Sequence, residues 1–452
     1  MKRDVQNTKI QTPNTNKGIT LIALVITIIV LLILAGVAIN MAIDSDGLFG
    51  KANEAAEKWN TAIGEEQSHI QSLLDKLTST LPEGWDSTKV DATVTETSLI
   101  TGTNKERVVP IPKGFVASQI EGEDTIAGGL VIYEGTNAVT GDRNGTEHTT
   151  AMTTRNQYVW IPVDDINYMV MCKSNESNSV CNLALQTNGT LKCETHDSVD
   201  LCGRLYEGFE FIGSGFSEGP MLFTEEEREN QIWDTEFYHE PNIVDSYDTD
   251  DTTGGLTAFA NQMTDDFIDM ATSVAKYGGF YVGRYEAGAD GASIKNQKVL
   301  VAGNSSNYNE YSDNTVAGDT WYGLYNTLNK EITVDSKVIL QSHMIYGSQY
   351  DQMINFLEGN TDNKPQIGHT DRQLAAQGLT GANENDIMNN IYDLEGNNYE
   401  WTAQAYSTYG RVYRGGAYPN IPIGNFYPAS DRGYGHPSDW SKGYTTRLSL
   451  CL

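Results

Sequence analysis

Four of the five cysteines, Cys172, Cys181, Cys193 and Cys202, fall within thirty-one residues at spacings of nine, twelve and nine. Thiols at that density either hold zinc or close disulfides. Zinc modules favour Cys-x2-Cys pairs, which this stretch lacks, and four cysteines admit three disulfide connectivities among which sequence does not choose. Cys451 is left over. No Gly-x-Ser-x-Gly, His-Glu-x-x-His or phosphate-binding glycine loop occurs, and the seven histidines are scattered rather than spaced as metal ligands. Sixty acidic residues against thirty basic ones give a formal charge of −30, a surface that repels phosphate backbones and excludes nucleic acid as a partner. The acidic runs TEEEREN (224–230) and DSYDTDD (245–251) read as solvated surface.

The elements that must position these groups begin with a greasy one. Residues 19–39 are twenty-one positions in which little but threonine and glycine dilutes the aliphatics, and at helical rise they match the roughly 30 Å hydrocarbon layer of a bilayer. A signal peptide has a shorter apolar core and a small-residue cleavage site, so an N-terminal anchor is expected. The segment KGITLIALVITIIVLLIL resembles the class III leader of type IV prepilins and pseudopilins. That resemblance implies a leader over 1–18 and cleavage between Gly18 and Ile19 by a prepilin peptidase. It further implies other pilin subunits as partners, and a single pass through the cell membrane with the remainder extracellular. Many such proteins carry glutamate where this chain has Ala23, which points to a minor or tip subunit. From residue 52 to 77, apolar residues recur at three- and four-residue steps, so a pilin-like helix is expected over 19–80. Pro82 and Gly84 end it, and 81–107 reads as a linker.

Beyond residue 108 the period shortens to β-branched and aromatic runs bounded by glycine and proline, with one short helix expected in YDQMINFLEG. The words NQYVWIPVDD, GGFYVGRYEAG, NNIYDLEGNNYEWT, RVYRGGAY and TTRLSL resemble the formylglycine-generating enzyme, or sulfatase-modifying-factor, family. The resemblance covers most of 108–452 and implies a C-type-lectin-like fold. The fold class is therefore α+β: a long N-terminal helix, then an irregular strand- and loop-rich domain with a cysteine-containing insertion at about 170–255. The family's enzymes bind copper through two cysteines after the Arg-Gly-Gly word, and the matching positions here are Asn420 and Asn425. Neither is a thiolate, so no copper is expected and the domain reads as a non-catalytic relative. The family's structural calcium would correspond to Asp393, Gly396, Asn398 and Glu400. The competing reading of that loop is a plain glycine turn before a strand, with Glu400 paired to an arginine.

The matching C-terminal segment of lectin-like folds lies on the binding face. Here it supplies Tyr418, Asn420, Ile421, Ile423, Asn425, Tyr427, Asp431, Tyr434, His436, Asp439, Trp440 and Tyr444 as candidate contacts for an unknown surface protein or glycan. Several lectin-fold relatives are rewritten at adenines by diversity-generating retroelements. Between Val412 and Thr446 there is no Gln, Glu or Met, as such rewriting would leave it, with Trp440 and Lys442 then fixed positions. In an exported protein the four clustered cysteines read as two disulfides. The function expected is a membrane-anchored, pilin-like surface protein displaying a lectin-like head. A surface enzyme of the same family and a structural pseudopilin of a secretion system are the alternatives.

Overall fold

The computed structural model describes residues 21–43, 58, 81–100, 103–173, 180–193, 200–203, 255–303, 315–318, 320–359, 378–407, 410–416, 429, 432–437 and 443–452. The chain divides into two compact units, Met1–Ser79 and Thr80–Leu452.

In the first unit, helix α1 (Leu21–Ile43) runs for 23 residues with no charged residue and no proline. Its large side chains from Leu24 to Leu34 are exposed, so among the described residues nothing covers an apolar surface that water does not favour. Among the residues whose side chains are described, no helix is long and apolar enough to cross a membrane; in α1 those residues are 24–35. Gly18, Ile19 and, apart from Lys58, the expected stem over 51–77 lie outside the described residues.

The second unit opens with a correction. The stretch read as a linker is half of a hairpin, β1 (Val90–Ile100) paired antiparallel with β2 (Thr103–Pro112). Its Val90, Ile100, Val109 and Ile111 are buried, and Tyr281 donates from its hydroxyl to the Pro110 carbonyl at 2.8 Å. The threonines on the opposite face gave the stretch its linker-like look. After β3 (Phe115–Ala117), β4 (Val131–Glu134), helix α2 (Thr146–Thr154) and β5 (Gln157–Pro162) comes the cysteine-bearing insertion. Its described strands are β6 (Val170–Lys173), β7 (Val180–Cys181), β8 (Leu183–Leu185), β9 (Leu191–Cys193) and β10 (Asp200–Gly203).

Helix α2 was not expected, and neither was the 23-residue helix α3 (Gly255–Tyr277). The signal for α3 is present: Met263, Phe267, Met270, Ala271, Val274 and Tyr277 recur at helical steps and are buried. Strand β11 (Gly279–Gly283) follows, then β12 (Val299–Val301) paired in parallel with β13 (Thr315–Ala317), helix α4 (Trp321–Leu328), β14 (Lys330–Val334) and β15 (Lys337–Met344). Helix α5 (Gly347–Glu358) is the short helix the sequence announced. The last strands are β16 (Ile387–Met388), β17 (Ile391–Tyr392), β18 (Tyr399–Ser407), β19 (Gly410–Arg414), β20 (Arg432–Gly435), β21 (Tyr444–Thr446) and β22 (Leu448–Cys451).

Two sheets organise the unit. One is antiparallel with order β14-β15-β22-β11-β5-β4-β3, and α3 lies against β11 and β22. Its central strands β5, β11 and β22 are buried at every position, as strands covered on both faces must be. The other has order β20-β19-β18-β21, with β18 and β21 parallel. The architecture is mixed α+β, mostly strands and loops.

A buried polar hub fixes one end of the first sheet. Glu123 accepts from Arg284 Nη2 at 2.5 Å and His148 Nε2 at 2.9 Å on one oxygen, and from Ser118 Oγ and Tyr133 Oη, both at 2.9 Å, on the other. Burial alone would raise this carboxyl, but Arg284 and His148 hold it far below the ordinary carboxylate range. The β16–β17 hairpin then clamps the loop before β4. Its two-residue turn places Asn389 and Asn390 at φ of 42° and 66°, as this tight turn requires. Asn390 Nδ2 donates to the carbonyls of Gly122, Gly128 and Gly129.

Gly129, at φ +89°, lies so close to the turn that an added Cβ would sit 2.1 Å from the Asn389 carbonyl oxygen. Gly129→Ala should lower stability by roughly 2–4 kcal/mol through backbone strain and clash. Denaturant melts of the variant and of the exposed control Gly141→Ala, whose Cβ would meet nothing within 4 Å, check this.

Candidate functional site

Strand β18 divides the candidate site in two. Successive side chains in a strand point to opposite faces, so Tyr399 and Trp401 share one face while Glu400 and Thr402 share the other.

On the Glu400 side the organising group is Arg447, between β21 and β22. Its Nε donates to Glu400 Oε2 at 3.1 Å and its Nη2 to Glu400 Oε1. The same guanidinium donates to the Gly283 carbonyl at 2.8 Å and the Tyr392 carbonyl at 2.7 Å. Both side chains are fully buried, and a two-pronged arginine–carboxylate pair is the geometry that offsets such desolvation best. The Arg-Gly-Gly word acquires a physical reason nearby. Arg414 donates to Asp351 of α5 at 2.6 Å, while Gly415 takes φ +73° with its Cα against the Leu394 carbonyl, where a Cβ would come within 2.6 Å.

Around the Gly-Asn turn the remaining carboxylates are buried too. Asp386 accepts from the amide of Glu395 and, at 2.8 Å, from that of Gly396. Glu286 accepts from the Asn398 amide at 3.0 Å and from Asn397 Nδ2 at 2.5 Å. Asp393 accepts from the Gly381 amide at 2.6 Å. Burial raises Asp393 to about 8, with the Asp386 charge pushing the same way. Burial, with Asp393 and Glu400 as neighbours, raises Glu286 well above the carboxylate range.

The residues expected to hold calcium belong to this same network. Glu400 has both oxygens taken by Arg447, which is the competing arrangement, a turn before a strand with an arginine partner. Asp393 accepts from the Gly381 amide, while Gly396 and Asn398 donate their own amides to Asp386 and Glu286. Among the described residues no group of three or more His, Cys, Asp or Glu is placed to hold a metal ion. The arginine thus accounts for Glu400, and calcium at Asp393 and the carbonyls of Gly396 and Asn398 is left as a proposal.

On the other face of β18, Tyr399, Tyr413 and Tyr444 form a half-buried aromatic surface. Ring centroids lie 4.9 Å apart for Tyr399 and Tyr413, 5.0 Å for Tyr413 and Tyr444, and 5.7 Å for the stacked pair Tyr399 and Tyr444. Trp401 lies buried against Tyr413 at 5.5 Å and Tyr444 at 5.1 Å, and among the described residues its Nε1 has no hydrogen-bond acceptor. The Tyr413 ring lies across Gly433 of β20, where a Cβ would come within 2.2 Å of it. Tyr434, opposite Val412 and therefore on the other face of the sheet, is exposed.

Of the expected contacts, the structure places Tyr444 in this aromatic surface, Tyr434 exposed on β20 and His436 half-buried just after it. Tyr418, Asn420, Ile421, Ile423, Asn425, Tyr427, Asp431, Asp439 and Trp440 lie outside the described residues. Sequence reasoning missed Tyr399, Trp401 and Tyr413, although the alternation of aromatics in YEWTAQAY carried the signal. In the insertion, Cys172 and Cys181 are opposite one another in the β6–β7 register. Cys193 is disulfide-bonded, and Cys451 is free and buried.

No protein-family model and no curated protein matches the chain. Solved structures with some similarity include PvdO from Pseudomonas aeruginosa, at 13% identity over 39% of this chain and 82% of that one, with a TM-score of 0.25. Treponema denticola variable protein 1 is similar at 11% identity over 39% and 85% of the two chains, with a TM-score of 0.26. CarF is similar at 12% identity over 38% and 87%, also at 0.26. Likeness at those scores carries no argument by itself.

A carboxyl whose folded value is raised binds its proton longer folded than unfolded. Stability is therefore greatest below the unfolded value and falls as pH rises from about 4 towards 8, the window set by Asp393. In EDTA, Asp393→Asn should remove a fall of roughly 3–4 kcal/mol between pH 5 and pH 8 relative to the unaltered chain. Chemical denaturation across that range measures it. Calcium added at pH 8 should raise the unaltered chain's stability only if a cation does enter the turn.

Proposed function

We propose that the chain is a membrane-anchored, pilin-like surface protein, a minor or tip subunit, whose second unit is a non-catalytic ligand-binding head. The head is read as formylglycine-generating-enzyme-like, with a C-type-lectin-like fold. The observation that carries the binding role is the aromatic surface of Tyr399, Tyr413 and Tyr444. Rigid tyrosine rings offer large contact area at little entropic cost, and their flat faces suit a sugar ring or a peptide side chain. The buried Trp401 holds that surface from beneath. Support for the anchor is the uncharged, side-chain-exposed run of α1, about 35 Å long at helical rise against about 30 Å of hydrocarbon. The acidic surface keeps the head clear of nucleic acid and of anionic lipid.

Glycan and protein arrays probed with the full chain in detergent should give discrete positives that Tyr399→Ala and Tyr444→Ala each weaken at least tenfold. Positives that survive both changes would place binding elsewhere, and arrays without any positive would count against a binding head.

The anchor is tested separately. Mass spectrometry of protein from its native membrane should find Ile19 as the first residue, N-methylated. Gly18→Phe should leave the leader attached, because the peptidase needs a small side chain there. A mature chain beginning at Met1, or after the apolar run, would sink the pilin-like assignment.

A further inference from the structure

The free cysteine does not stand alone. Strands β15 and β22 are antiparallel with Gln341 opposite Cys451 and His343 opposite Ser449, so Cys451 and His343 are diagonal neighbours on one face of the sheet. His343 Nδ1 lies 2.9 Å from the Met344 carbonyl oxygen. A carbonyl only accepts, so the hydrogen sits on Nδ1 and the lone pair on Nε2 faces Cys451 Sγ at 3.4 Å. Gln349 presents an amide N–H to the same sulfur at 4.0 Å. A nucleophile, a base within reach of it, and a third group that fixes the base's tautomer are the three parts of an activated thiol.

Both residues line a cavity of about 710 Å³ between α3 and strands β14, β15 and β22. Its charged lining is Asp86, Lys89, Asp266, Asp269, Lys276 and Glu331, four carboxylates against two ammonium groups, an environment that favours a neutral or cationic guest. The aromatic surface on β18 and β19 contributes nothing to it.

We propose that Cys451 and His343 act as nucleophile and general base at the wall of this cavity, able to accept an acyl group from a small activated ester or thioester. Sγ attacks the acyl carbonyl carbon while Nε2 takes the thiol proton. The adduct collapses, the bond to the leaving oxygen or sulfur breaks, and the proton passes from Nε2 to that atom. Cys451 is left as a thioester with no change of oxidation state. Burial pushes the thiol up to about 12 and the imidazole below its ordinary value. Both partners are thus neutral at pH 7, and the proton moves only as the new bond forms. Asp266 bears on the imidazole, Asp269 and Lys89 on the thiol.

The experiment uses p-nitrophenyl acetate with the non-reduced full chain in detergent. The expected result is a burst of one equivalent of nitrophenol, with the acetyl group located on Cys451 by peptide mass spectrometry. Cys451→Ser should lose that adduct, and His343→Gln should slow its formation by about 100-fold with an unchanged melting temperature. With His343 as base, the rate should level off by about pH 6.5; an unassisted thiol with a value of about 12 would keep rising tenfold per pH unit through pH 10. Acetylation of Cys451 only after unfolding, a burst that survives in Cys451→Ser, or a His343→Gln variant with the unaltered rate and profile would each overturn the proposal. Should His343→Gln fail to fold, the pH profile of the unaltered chain decides alone.

Discussion

The ion pair between Arg447 and Glu400 is the constraint on which the rest of the second unit depends. Four segments meet at one guanidinium: the end of β11 through Gly283, β17 through Tyr392, β18 through Glu400, and the link between β21 and β22 from which Arg447 itself projects. Removing either charge would leave the other buried without its partner, a loss on the order of 3–5 kcal/mol. The pair also joins the two sheets, because β18 and β21 belong to one and β11 and β22 to the other.

That junction frees the opposite face of β18. Since Glu400 answers to the interior, Tyr399 and Trp401 are left for the aromatic surface, and their ring neighbours come from β19 and β21 rather than from the core. Scaffold and candidate binding face are thus carried by alternate positions of a single strand. The five buried carboxyls around the Gly-Asn turn, Glu286, Asp386, Asp393, Glu395 and Glu400, find only part of their compensation in Arg447. Protons held by Asp393 and Glu286 supply another part. Backbone amides of Gly381, Glu395, Gly396 and Asn398 supply hydrogen bonds.

Much of this was legible in the sequence, and its omissions have physical causes. The strand-rich α+β character, helix α5 and the alternative partner of Glu400 follow from local pattern and charge. The hairpin over 90–112 looked like a linker because its threonines face outward and only Val90, Ile100, Val109 and Ile111 report burial. Helix α3 was missed because Asn, Thr and Asp residues dilute its apolar stripe. The Cys451–His343 approach was invisible, since 108 residues separate the partners and only the β15–β22 register brings them together. The cavity beside them has no local signature at all.

Strand β22 is the last strand in chain order, yet it lies inside its sheet, between β15 and β11. A chain emerging residue by residue must therefore hold open a slot between two strands that it has already made. Arg447 arrives with the same segment, so the central ion pair forms only when that slot is filled. Non-local pairing of this kind delays the gain from ordering until β22 is present. Until then, the apolar edges of β11 and β15 stand exposed. A unit built this way closes its central sheet and its central ion pair in a single step, when β22 enters between β15 and β11.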